Sequence, residues 1–172
     1  MENDRPAYRP LKAQVLTDTM KRKRLDWCKE HRHWTAEDWS KVIFSDESSF
    51  ELQPPSSQFV PRNRGQAPTE DHFLQAFRHP IKVMLWSCIS VHGPGRVHVV
   101  EGSMNSNQYK EVISHCVVPQ IIEWFGTENY WFQQDLAPCH TSRQVKDFFH
   151  AKHVRILTWP GNSPDLSPIE NM

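Results

Sequence analysis

The chain has 172 residues, 38% of them apolar, with 20 basic and 20 acidic side chains and a formal charge of zero. That length suits one domain with a real core, while a neutral chain lacks the strong nonspecific pull that a basic domain exerts on a polyanion. No run approaches the ~20 apolar residues of a membrane span, and the polar start MENDRPAYRPLK is no secretory signal, so no membrane partner and an intracellular address are expected.

Residues 18–31 (DTMKRKRLDWCKEH) set Met20, Leu25, Trp27 and Cys28 near helical spacing among charged neighbours and read as a surface helix. The KRKR run inside it fits a nuclear-localisation signal, but a solvated helix face explains it as well and is the reading favoured. WTAEDW (34–39) opens on Thr35-x-x-Asp38, a helix-start signal, and predicts a short helix or turn. Residues 1–41 hold ten Lys or Arg against seven acids, and 42–172 ten against thirteen, so a basic stretch precedes an acidic one.

Strand patterns begin at residue 41, with Lys41–Ser45, Phe50–Leu52 and, past Pro-Pro-Ser-Ser, Phe59–Val60. The breaker-rich stretch 61–80, which carries Arg62, Arg64 and Arg78, predicts a long loop. Ile81–Val91 and Val97–Glu101, joined by HGPGR, predict an antiparallel hairpin. Asn105–Phe125 repeats apolar residues at helical intervals, with Pro119 as an interior kink. Tyr130–Gln134 reads as a strand, Ser142–Ala151 as a helix and Val154–Trp159 as a strand, and SPDLSP leads into a further helix. Antiparallel strands first and alternating elements afterwards imply an α/β layer structure, a mixed sheet covered by helices. The expected organisation is a linker and helical segment over 1–40 followed by one domain over 41–172.

Three acids stand out in that frame. Asp46 in KVIFSDESSF and Asp135 in YWFQQDLAPCH each close an apolar, strand-like run, and Glu170 in SPDLSPIEN follows with 34 residues between it and Asp135. In an α/β sheet the crevice beyond strand carboxyl ends is the usual ligand site, and neighbouring strands would set the two aspartates side by side. Carboxylates gathered there repel one another unless divalent cations bind between them, the arrangement that two-metal phosphoryl transfer uses. Each acid also has an ordinary reading. Either aspartate fits a strand-terminating turn, and Glu170 fits a capping box with Ser167 as N-cap and Pro168 at N1. It is the three together that favour a nucleic-acid-processing site.

Other constellations are weaker. Cys28, Cys88, Cys116 and Cys139 form no CxxC pair, so neither a disulfide framework nor a zinc site is suggested. The ten histidines show no paired-ligand spacing. Cys139 beside His140 has the composition of a nucleophile with its base, but side chains adjacent in sequence point apart, and His140 is expected to cap or line the site edge instead.

SDESSF, WFQQDLAPCHTSRQVKDFF and LTWPGNSPDLSPIEN resemble the three signature blocks of the Tc/mariner superfamily of transposases, in the branch with a terminal glutamate. The similarity runs from about Arg24 to the end. It implies a ribonuclease H-like fold in which Asp46, Asp135 and Glu170 are the catalytic residues and hold two Mg²⁺ or Mn²⁺ ions. It also implies DNA as the partner, both transposon ends and target, with cleavage and strand transfer as the reaction and the nucleus as the place. A homodimer is compatible with this. The family's N-terminal helix-turn-helix region has no counterpart in this sequence, and the family continues past the glutamate where this sequence has two residues. The expectation is therefore a catalytic domain lacking its end-recognition region and truncated just after Glu170. HPIKVMLW also differs from the glycine-rich stretch of many relatives. The alternatives are a domesticated fragment acting as a DNA- or protein-binding module, and a ribonuclease H-like nuclease for RNA–DNA hybrids, which SPDLSPIEN does not fit.

Overall fold

Cap chemistry sets the first boundaries in the computed structural model, which describes residues 16–52 and 81–171. Helix α1 (Asp18–His31) starts where the Thr17 hydroxyl accepts from the Met20 amide, with Asp18 in its first turn and Lys29 and His31 in its last, each sign suited to the helix dipole. Helix α2 (Ala36–Ser40) has the reciprocal box that its sequence announces: the Asp38 amide donates to Thr35 Oγ1, and the Thr35 amide to Asp38 Oδ2. Strands β1 (Val42–Leu52), β2 (Ile81–Ser90) and β3 (Gly93–Val100) follow. The expected strand Phe59–Val60 and loop 61–80 lie outside the described residues.

The β2–β3 hairpin turns on Val91 and His92 alone, so Gly93–Arg96 is strand where the sequence suggested turn. Gly93 takes φ +107° at the turn's exit. Pro94 is tolerated because β3 is the outer strand, where one ladder donor is dispensable.

Helices α3 (Ser106–Val112) and α4 (Val118–Phe125) are joined without a break by a π turn over Ile113–Val117. Pro119 explains it. Its ring and missing N–H cannot serve the carbonyl four residues back, that of His115, so the turn widens until the Val118 amide donates to Ile113. Arg96 Nη1 donates to the His115 carbonyl instead, at 3.4 Å. The expected kink is thus an inserted residue in the ladder.

Strand β4 (Trp131–Gln133), helices α5 (Pro138–Thr141) and α6 (Arg143–Ala151), and two 3₁₀ turns, Pro164–Leu166 and Pro168–Asn171, complete the chain. The predicted strand over Val154–Trp159 reduces to one parallel bridge, Phe132 to Ile156. There the Phe132 amide donates to Arg155 and the Leu157 amide to Phe132, both at 2.8 Å. A neighbour only three residues long leaves little ladder to pair with.

The sheet order is β3-β2-β1-β4, with β1 antiparallel to β2 and parallel to β4. Side chains alternate between two faces. Ile43, Trp86, Cys88 and Phe132 face one core with Tyr109, Val112, Ile113 and Val117 of the long helix and Val145 and Phe149 of α6. Val42 and Phe44 face a second core with Trp27 of α1, Leu157 and Trp159, flanked by Trp34, Trp39, Leu166 and Ile169. This layered mixed sheet is the ribonuclease H-like arrangement expected. Among the described residues no helix is long and apolar enough to cross a membrane.

Candidate active site at the end of β4

Asp46 does not close a strand. It lies inside the eleven-residue β1, opposite Ser87 of β2. Val42 and Ile43 pair with β4, Phe44 pairs on both sides, and beyond it only β2 remains among the described residues. The polar run SDESS therefore records the loss of β4's cover, and the segments predicted on either side of it are one strand. Ser45 fills the fork between β1 and β4: its hydroxyl donates to the Gln133 carbonyl at 2.9 Å, and its amide to Gln133 Oε1 at 3.3 Å.

Phe44 pairs with Gln133, and two residues further along come Asp46, within β1, and Asp135, just past the end of β4. The 3₁₀ turn Pro168–Asn171 lies against β1 and carries Glu170. All three acids line one cleft of about 480 Å³, together with Trp159, Pro160 and Ser167. The capping-box reading of Glu170 is not realised: Ser167 Oγ is buried with no hydrogen-bond partner among the described residues. Ser167 acts through its carbonyl, which accepts from the Glu170 amide at 3.3 Å and from Asn171 Nδ2 at 3.1 Å.

Asp135 is held from behind. Its Oδ1 accepts from the Ala137 amide at 2.8 Å and lies 2.6 Å from His140 Nδ1. Burial works against ionisation of Asp135, but the hydrogen bonds from His140 and Ala137 outweigh it and hold the carboxyl below its ordinary value. His140 is 2% exposed. Its Nε2 stands 3.3 Å from Glu47 Oε1, a charge contact not aligned as a hydrogen bond. Burial opposes the imidazolium, yet the two carboxylates prevail and raise its pKa to about 9. The Tyr109 ring packs on His140 with centroids 4.0 Å apart, and the Tyr109 hydroxyl donates to Gln134 Oε1.

Among the described residues Asp46 has no such cation. Burial first, then the negative charge of Glu170, with Glu47 and Asp135 adding, push its pKa up to about 6. The donors of the cleft are hard carboxylate oxygens with excess negative charge, a chemistry that fits hard divalent cations. No three His, Cys, Asp or Glu side chains among the described residues stand converged as a finished cage. Glu170 is exposed at the rim of the cleft.

Glu47, Tyr109 and Gln134 were not singled out in the sequence. Strand alternation was a usable signal for Glu47, since it puts residue 47 on the face opposite Asp46. Nothing local marks Tyr109. Cys139 is no nucleophile poised on His140: burial raises its thiol pKa, and His140 is committed to the two acids.

The profile of the DDE superfamily endonucleases matches residues 41–172. The Tc1 transposase of Caenorhabditis elegans is 32% identical over 174 residues, covering 95% of this chain and 60% of that protein. The Tc3 transposase of the same organism is 32% identical over 161 residues, covering 93% of this chain and 47% of its own length. The chain thus spans about half to three fifths of these relatives. In fold it is similar to the Mos1 transposase in a paired-end complex with the left transposon end, with a TM-score of 0.76 at 18% identity, covering 99% of this chain and 51% of that one. It is also similar to the isolated catalytic domain of Mos1 mariner transposase, with a TM-score of 0.66 at 17% identity, covering 94% and 71%. With its fold, its cleft and its sequence all pointing one way, the chain belongs to the DDE superfamily endonuclease family.

Proposed function

We propose that this chain performs metal-dependent cleavage and strand transfer on DNA, with Asp46, Asp135 and Glu170 holding two Mg²⁺ or Mn²⁺ ions. The observation that carries the reading is that these acids, from three separate segments, border one cleft. The likeness to Mos1 transposase, solved with Mg, with Mn and with a transposon end, supports the choice of ion and partner. A nuclear site of action and a working unit of two chains accord with the same reading.

Asp46, Asp135 and Glu170 would hold the ions, which would supply activation of water or a DNA 3′-hydroxyl and charge compensation at the leaving oxygen. The chain's own residues prepare the cleft for this. The contacts of Ala137 and His140 with Asp135 fall on Oδ1, leaving Oδ2 as its ligand oxygen. Glu47 braces His140 from the other face of β1, and Tyr109 walls it from solvent. Asp46, half-buried in a continuous strand, contributes its carboxylate from a backbone position that the sheet fixes.

Purified chain in Mn²⁺ should nick supercoiled plasmid, and Asp135→Ala should not. Equal nicking by both would remove the three acids from the explanation. Intact plasmid with both would favour a transposon-derived binding module.

A further inference from the structure

Within the basic run of α1, Lys21, Arg22 and Lys23 are exposed, and Arg24 alone turns inward. Its guanidinium grips Asp165 with both arms, Nη1 to Oδ1 at 2.8 Å and Nη2 to Oδ2 at 2.6 Å, across 141 residues of sequence. Nη1 also donates to the Asn162 carbonyl at 3.1 Å. One turn along the same helix, Trp27 Nε1 donates to the Thr158 carbonyl at 2.6 Å. The segment 158–165 is therefore tied to α1 at three points.

From Asp165 the chain has little freedom before Glu170. The Leu166 amide donates to Ser163 at 3.2 Å, Ser167 to Pro164 at 3.0 Å and Glu170 to Ser167 at 3.3 Å, a run of tight turns. Pro164 and Pro168 fix φ within it. Leu166 and Ile169 pack on the same aromatic core as Trp27. A displacement at Asp165 is thus passed to Glu170 rather than absorbed.

We propose that Arg24 is a positioning residue for Glu170: its two-armed contact with Asp165 sets where the third acid stands in the cleft. The inference rests on the metal-binding reading above. The contact suits the task, since a planar fork fixes direction as well as distance, which a lysine cannot do. Residues that orient metal ligands from one shell out commonly change affinity by 10–100-fold when removed.

The test is calorimetric titration of the full chain with Mn²⁺, paired with amide hydrogen exchange in chelator. Arg24→Ala and Asp165→Ala should each weaken Mn²⁺ binding on the order of tenfold and speed exchange over residues 161–171 but not in β1 or β2. Arg24→Asp combined with Asp165→Arg should recover much of the affinity. Unaltered affinity in both single variants, with binding lost in Asp135→Ala, would overturn the positioning role and leave the metal site standing. Faster exchange throughout β1 and β2 would make Arg24 a general fold residue and would also overturn it. A wild-type chain that takes up no Mn²⁺ would bring down the metal reading and this inference together.

Discussion

Replacing Asp46 by Asn should stabilise the metal-free chain, although it removes one of the three acids. In the folded protein the carboxyl pKa is about 6, against an ordinary 3.8, because burial and the charge of Glu170 both oppose ionisation. The native state therefore binds the proton more tightly than the unfolded state, and stability declines as pH rises from about 4 to about 6. Two pKa units correspond to nearly 3 kcal/mol; screening at a half-exposed group reduces this to about 1–2 kcal/mol. Asn resembles the protonated acid and escapes the loss. In chelator near neutral pH, Asp46→Asn should raise the unfolding temperature by roughly 2–6 °C for a domain of this size. The gain should halve near pH 5 and vanish below about pH 4. Added Mn²⁺ should reverse the order, stabilising the wild type more. Differential scanning calorimetry at three pH values with and without Mn²⁺ reads all of this. An Asn variant that melts below the wild type in chelator at neutral pH would refute the picture of an uncompensated anionic cleft.

His140 should act with the same sign of slope, in a higher pH window. Burial opposes its charge but Asp135 and Glu47 raise its pKa to about 9 from an ordinary 6.5, so its contribution is complete below about pH 6.5 and lost as pH rises through 9. Unfolding free energies from urea titrations of the metal-free chain should fall across that window by an amount of order 1–3 kcal/mol, and Glu47→Gln should flatten the fall; an unchanged slope would detach Glu47 from His140. Gly95→Ala should destabilise by about 1–3 kcal/mol, since the new methyl would come within 2.6 Å of Cys88 Sγ and 2.8 Å of Trp124. An unchanged melting temperature would show that α4 does not depend on that close approach.

What could be read along the chain was local. The box at Thr35 and Asp38 was legible because both partners lie within one helical turn. The hairpin, the long helix through Phe125 and the α6 face were legible from period and breakers. The three acidic blocks were legible because their residue types and spacing are specific. Where those signals met tertiary context they gave way. The polarity of SDESS suggested a strand end, yet β2 carries the strand onward to Leu52. The apolar run Val154–Trp159 suggested a strand, yet a three-residue neighbour gives it one bridge. Ser167-Pro-Ile-Glu suggested a cap, yet Ser167 Oγ has no partner among the described residues and Glu170 lines the cleft.

Sequence by itself determined the alternation that puts Asp46 and Glu47 on opposite faces of β1, the proline that opens the helix ladder, and the three acids with their spacing. Tertiary structure alone decided that His140 spans Asp135 and Glu47, that Tyr109 covers it, and that of four basic residues in a row only Arg24 reaches Asp165. Periodicity and caps act over a few residues and leave a trace in the order of the chain. A contact between residues 141 positions apart leaves none until packing has placed both on one surface.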